Sequence, residues 1–147
     1  MSQMNNVNFA DWRIFALASA AFAALTAIFG KLGVSSMNSN LATFIRTVVI
    51  LFVTAIIVSI RKEWKSPETL DARAILFLVL SAFATGASWI CYYRALQLGP
   101  ASKVAPVDKL SVAFVLVLAA IFLGESLTLQ TVLGGLLVVA GSLVLVL

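Results

Sequence analysis

The chain contains no histidine and a single cysteine, Cys91. The lack of histidine excludes a histidine-based metal site and a histidine proton relay, and one cysteine forms no disulfide within the chain. There is no Walker-type phosphate loop, no metal-ligand spacing and no Ser or Cys nucleophile with a histidine base. We therefore expect neither an enzyme nor a resident cofactor, while coupling to protons or other ions stays open.

Charge is also scarce, since only 11% of the residues are charged and 62% are hydrophobic. An average soluble domain carries about twice that charged fraction. Five apolar segments are long enough to cross the roughly 30 Å hydrocarbon core of a bilayer. The sequence thus predicts an all-α membrane protein with a polar tail over 1–11 and one transmembrane domain over 12–147. Its five helices are expected at about 12–31, 41–60, 73–98, 102–123 and 129–147.

In a membrane protein, basic residues in membrane-flanking loops and in a basic cavity explain the net charge of +4 better than nucleic-acid binding does. Five alternating spans divide the ten Lys and Arg residues equally between the two membrane sides. If Arg46 and Lys109, which lie inside the spans, are left out, the N-terminal side leads five to three and is weakly favoured as the cytoplasmic side; so small a bias is compatible with insertion in both orientations. The N-terminal side is predicted to hold Arg13, Arg61, Lys62, Lys65 and Arg73, and the other side Lys31, Arg46, Arg94, Lys103 and Lys109.

Several charges are predicted to share one depth near that second side. Arg46 lies about five residues inside the second predicted helix, and Asp108 and Lys109 lie about six inside the fourth. At about 1.5 Å per residue, each is roughly 8–9 Å below the helix end. Lys31 ends the first helix, and Arg94 precedes the end of the third by about one turn. Because intramembrane charges usually face a wet cavity or the bundle interior, these residues predict a vestibule for an anionic or zwitterionic group.

Two simpler explanations remain open at this stage. The long side chains of Lys31, Arg46 and Arg94 are able to extend to the membrane surface. Asp108 is too short to do so, and it would instead form a structural ion pair with Arg46 or Lys109. Such a pair is compatible with a gate.

Aromatic residues on the third helix also have two interpretations. Trp89 and Tyr92 recur with Ser88 and Thr85 at helical spacing. They form either core and interfacial aromatics or the polar-aromatic wall of a substrate path.

The fifth helix consists almost entirely of Leu, Val and small residues and offers no chemistry. Its glycines and one serine are spaced by seven residues, which places them in narrow small-residue grooves. Such grooves favour close helix packing, here predicted between subunits. The residues are Gly134, Gly135, Gly141 and Ser142.

Three segments carry a resemblance to a known family. They are Ala95-Leu-x-x-Gly99-Pro-Ala-Ser-Lys-Val-Ala-Pro106, Phe122-Leu-Gly-Glu125-x-Leu-Thr, and Gly134-x-x-Leu-x-x-x-Gly141. In this order the segments resemble the EamA-type drug/metabolite transporter superfamily. Three further motifs resemble the five-helix bacterial/archaeal subgroup of this superfamily. They are the Asp108-Lys109-Leu-Ser111 variant, Lys31-x-Gly33 and Ala42-Thr-x-x-Arg46.

The resemblance implies a secondary transporter in the cytoplasmic (inner) membrane. Larger members join two five-helix halves of opposite orientation, so this chain resembles one half and is expected to form a homodimer, antiparallel in the bilayer. A small polar metabolite, an amino acid or an organic anion, would cross by alternating access. Arg46, Arg94 and Lys109 would attract it, Asp108 would form a gating pair, and Lys31, Trp89, Tyr92 and Ser111 complete the predicted path.

Two departures from related patterns bear on the substrate. Small four-helix multidrug relatives carry an acid in the first helix, which this chain lacks. Plastid relatives that bind phosphate use a basic residue placed similarly to Lys109, but here Asp108 stands beside it. The alternatives are a non-transporting membrane subunit that requires a partner half, and a small cation or drug exporter.

Overall fold

A computed structural model describes residues 11–66 and 69–147. Over these residues it contains helices and no strands, and five helical stretches are long and apolar enough to span a membrane. This confirms the predicted all-α fold with five spans. The predicted polar tail lies outside the described residues apart from Asp11. The helices are α1 (Trp12–Val34), α2 (Ser39–Ile60), α3 (Ala72–Leu98), α4 (Ala101–Asp108), α5 (Ser111–Leu118), a π-helical turn (Ala119–Leu123) and α6 (Leu129–Val146).

Short polar side chains fix where three helices begin. The Asp11 carboxylate accepts a hydrogen bond of 3.0 Å from the backbone N–H of Arg13, at the start of α1. Asp71 accepts the same bond, also 3.0 Å, from Arg73 at the start of α3. Asn38 begins α2 in this way. Each cap gives an acceptor to an N–H that has no partner inside its helix.

The fourth span is interrupted, whereas the sequence suggested one helix over 102–123. The backbone N–H groups of Lys109 and Leu110 bond to carbonyls three residues earlier, those of Pro106 and Val107, both at 3.0 Å. Pro106 lies inside α4, where it supplies no N–H to the Ser102 carbonyl and its ring crowds that turn. The tighter turn that follows separates α4 from α5.

The small buried core lies at one end of the bundle, where α1, α2 and α3 meet. It consists of Val34, Ala42, Tyr93 and Leu96, and Leu96 is fully buried. Elsewhere large apolar side chains are exposed along all the spans. A surface this apolar is suited to contact with lipid or with another membrane-embedded chain.

One face of α6, which carries two of the four residues of the predicted dimer interface, packs against the rest of the chain. Gly135 and Ser142 are buried, and Cδ1 of Leu116 lies 2.5 Å from where a Cβ on Gly135 would be. An intramolecular contact therefore occupies this groove, and the absent side chain of Gly135 permits the approach of α5. Gly134 and Gly141 are exposed, with nothing within 4 Å of an added Cβ. They remain available for a contact between copies.

Candidate functional site

A polar cavity of about 240 Å³ lies between α1, α2, α3 and the end of α4. It is smaller than the pockets of about 300–1,000 Å³ that hold drug-sized ligands. Its concentration of charge, hydroxyl and aromatic groups contrasts with the apolar exterior of the helices. The lining consists of Ala23, Thr26, Arg46, Ser88, Trp89, Tyr92, Asp108 and Lys109.

Arg46 provides the central cation of this cavity. It lies in the second turn of α2 and is half-buried. Its guanidinium carbon is 3.8 Å from the ring centroid of Trp89 and 5.5 Å from that of Tyr93. Trp is the strongest π partner for a cation, and the interaction strengthens as water is removed. Stacking uses the face of the planar guanidinium and leaves its N–H edge for hydrogen bonds.

The ion pairs of the described residues do not include Arg46. They join Arg61 to Glu63 and Lys109 to Asp108. The Arg46 charge is thus held by aromatic faces, without a carboxylate partner in this part of the chain. An anionic group entering the cavity would supply one.

Asp108 and Lys109 lie at the break between α4 and α5. Lys109 Nζ is 3.3 Å from Asp108 Oδ2, and both side chains are partly exposed. The ion pair between them, one of the alternatives open from the sequence, is therefore present. Because the side chains project from the end of a short helix, their position depends on the local turn at 109–110.

Asp108 and Tyr92 also border two larger cavities. One, about 540 Å³, lies between α3, α4 and the end of α6, and is mostly apolar. The other, about 710 Å³, separates α1 from α6 and is lined mainly by small residues. A fourth, of about 340 Å³, lies on the other side of Arg46 and extends to Met37 in the α1–α2 turn. Arg46 and Asp108 therefore stand where separate cavities meet.

Lys31 lies outside the lining of the polar cavity. Its ammonium group donates to the carbonyl oxygens of Leu96 and Gly99, the latter at 2.9 Å, at the end of α3. Lys103 donates similarly to the carbonyl of Val146, at 2.9 Å, at the end of α6. A cation at a helix C-terminus satisfies free carbonyls and the negative end of the helix dipole. These two lysines hold neighbouring helix ends in place.

Arg94 and Ser111 also lie outside the lining of the polar cavity. Arg94 is exposed and donates to Oε1 of Gln97, at 3.0 Å. Gln97 in turn donates to the backbone carbonyls of Val34 and Met37, which ties α3 to the α1–α2 turn. Ser111 is exposed at the start of α5.

The structure therefore brings together five of the predicted path residues: Arg46, Trp89, Tyr92, Asp108 and Lys109. Lys31, Arg94 and Ser111 do not line the same cavity. Sequence reasoning missed Thr26, whose hydroxyl lies in the Ala-rich first span. Its signal was an isolated hydroxyl residue in an apolar run that also contains Ser19, and that pattern also occurs in helices without a site.

Comparisons with known proteins agree with this architecture. The model of the EamA-like transporter family matches residues 11–147. The chain is 53% identical over 135 residues to a Sinorhizobium protein named as an uncharacterized transporter in the cobO 3' region, covering 92% of this chain and 96% of that protein. No solved structure gives a significant match. A five-span chain whose family match covers its entire described length is a multi-pass membrane protein and belongs to the EamA-like transporter family.

Proposed function

We propose that this transporter moves a small polar metabolite, an amino acid or an organic anion, by alternating access within an antiparallel homodimer of the cytoplasmic (inner) membrane. The observation that carries the proposal is the Arg46 guanidinium, stacked on Trp89 at 3.8 Å in a cavity of about 240 Å³. A charge inside a membrane protein is costly and is typically retained for binding or transport. Here the cation lies beside hydroxyl groups and an ion pair, which suits a small polar solute.

The antiparallel homodimer is supported by the exposed face of α6. Gly134 and Gly141 lie five residues from the start and five from the end of Leu129–Val146. A two-fold axis in the membrane plane that passes the middle of α6 would bring Gly134 of one copy level with Gly141 of the other. Glycines at such a crossing allow close backbone approach. The equal division of basic residues between the two sides is compatible with both orientations.

Alternating access is supported by the location of the charges. Asp108 and Lys109 end the short helix α4, and the tight turn after them is held by three-residue hydrogen bonds at 3.0 Å. Interrupted helices near binding sites are a recurrent feature of secondary transporters, because their ends change direction without unfolding a whole span. A rotation at this turn would move both charges relative to Arg46.

The proposal is tested by flux through proteoliposomes that contain only the purified chain. Radiolabelled amino acids, organic anions and a lipophilic cation are offered separately, with empty liposomes as background. We expect uptake of at least one anion or amino acid, lost in Arg46→Gln and partly retained in Arg46→Lys. Arg73→Gln is the matched control, since the Arg73 guanidinium carbon lies 5.9 Å from the ring centroid of Phe77 on an exposed part of α3 and its loss removes the same charge.

Other outcomes would identify a different function. No flux of any solute by folded protein would favour a subunit that needs a partner half. Flux restricted to the lipophilic cation and dependent on Asp108, which borders three of the cavities, would favour a cation exporter.

A further inference from the structure

The charges around the polar cavity set a limit on its ligand. Three charged side chains line it, namely Arg46, Asp108 and Lys109. Two are cations and one is an anion, so the lining carries a net charge of +1. In a site flanked by apolar helices and lipid, an uncompensated charge is far less screened than in water. The ligand that leaves the occupied cavity neutral is an anion with one charge.

From this arrangement we infer that the cavity selects a small monocarboxylate over zwitterions, dianions and cations of the same size. The inference rests on the proposed transport function and narrows its substrate class. Arg46 receives the carboxylate at its N–H edge, while its face remains stacked on Trp89. A planar guanidinium fork matches a carboxylate with two parallel hydrogen bonds.

Asp108 sets the net charge of the cavity lining. Its ion pair with Lys109, at 3.3 Å, offsets the second cation of the cavity. Without that carboxylate, Arg46 and Lys109 would together favour a dianion. Without the Lys109 ammonium, Arg46 and Asp108 would present one cation and one anion, the complement of a zwitterion. Two single substitutions should therefore change selectivity in different directions.

Four probes with a four-carbon chain separate charge from size: butanoate, 4-aminobutanoate, butanedioate and butylammonium. The chain has three tryptophans, and Trp12→Phe with Trp64→Phe leaves Trp89 as the single fluorescent reporter in the cavity. Binding is then followed by titrating the full-length protein in detergent, after size-exclusion chromatography has shown that each variant is folded.

In this background butanoate should bind tightest, by at least about tenfold over each other probe. Asp108→Asn should make butanedioate the preferred ligand, and Lys109→Gln should make 4-aminobutanoate the preferred one. Lys65→Gln removes a cation from an exposed loop and should leave the order unchanged. If Asp108→Asn does not fold, the change in Lys109→Gln still decides the question.

The inference is overturned if the reporter protein prefers 4-aminobutanoate or butanedioate, or if the folded cavity variants keep the original order. Flux measurements on the same proteins keep the two proposals apart. Uptake of 4-aminobutanoate in preference to butanoate would support the proposed transport of a metabolite and contradict the selectivity for monoanions. Selective butanoate binding without flux of any metabolite would support the selectivity for monoanions and contradict the proposed transport function.

Discussion

The guanidinium carbon of Arg46 lies 3.8 Å above the ring of Trp89, with α2 supplying the cation and α3 the aromatic face. This contact fixes the orientation of a side chain that otherwise has several rotatable bonds. The interaction is worth about 1–2 kcal/mol when partly desolvated. Its loss would let Arg46 extend toward the membrane surface and away from the ligand.

Trp89→Leu should therefore weaken ligand affinity by about 5–30-fold, and Trp89→Phe should have a smaller effect because a π face remains. The maximal transport rate should change less than the apparent affinity. The measurement is the concentration dependence of proteoliposome flux. Equal affinities for Trp89→Leu and the parent protein would contradict a positioning role for the ring.

Lys31 provides a second prediction, on stability. Lys31→Met keeps an unbranched side chain but removes the hydrogen bonds to the carbonyls of Leu96 and Gly99. Bonds from a charged donor contribute about 1.5–3 kcal/mol, so the free energy of unfolding should fall by about that amount. Reversible unfolding in mixed micelles measures the change. Lys65→Met, in the exposed loop, is the control and should leave the stability within about 0.5 kcal/mol of the parent.

The role of Lys31 also illustrates where sequence reasoning succeeded and where it stopped. The five spans followed from segment length and hydropathy, while the depth of Arg46 and Asp108 stays a prediction from helical rise. Whether a lysine faces a cavity or a helix end depends on its rotation about the helix axis and on its neighbour. Composition and depth do not contain that information, so Lys31 and Arg94 were grouped with residues that the structure places elsewhere.

The break in the fourth span and the faces of α6 show a related limit. Pro106 was visible in the sequence, but a proline in a transmembrane helix either bends it or ends it, depending on how nearby carbonyls are satisfied. Gly134 and Gly135 are neighbours of identical type. The position of Leu116 distinguishes the glycine buried within the chain from the one exposed on its surface.

The two glycines can be compared directly. In Gly135→Ala the new Cβ would lie 2.5 Å from Cδ1 of Leu116, so that side chain must rotate or α6 must move. We expect a loss of about 1–3 kcal/mol in the free energy of unfolding. Within a single chain Gly134→Ala meets open space, so under conditions where the protein is monomeric it should be neutral or stabilising by at most about 1 kcal/mol.

The clash itself is isolated by the double variant Gly135→Ala, Leu116→Ala. Its destabilisation should be smaller than the sum of the two single changes, because shortening Leu116 removes the contact. Strictly additive effects in micelle unfolding would show that α5 and α6 do not meet at these residues.

Cysteine cross-linking tests whether the proposed homodimer forms and in which orientation. In a Cys91→Ser background, the antiparallel arrangement should give disulfides between a Gly134→Cys copy and a Gly141→Cys copy, each carrying a different affinity tag. Copies that all carry Gly134→Cys should cross-link poorly, since the two positions are seven residues, or about 10 Å, apart along α6. Efficient cross-linking of Gly134→Cys with itself would instead indicate a parallel dimer.

Pro106 offers a test of movement at the charged turn. Pro106→Ala restores an N–H that reaches the Ser102 carbonyl, so α4 and α5 should approach one continuous helix. We expect the maximal transport rate to fall by about tenfold, equivalent to about 1.4 kcal/mol on the rate-limiting barrier. Ligand affinity should change by less than about threefold, since Pro106 does not line the polar cavity. Pro100→Ala, at the cap before α4, leaves the helix interior unchanged and should transport normally. If Pro106→Ala transports at the parent rate, bending at this turn is not needed for Asp108 and Lys109 to move between the two conformations of the proposed alternating-access cycle.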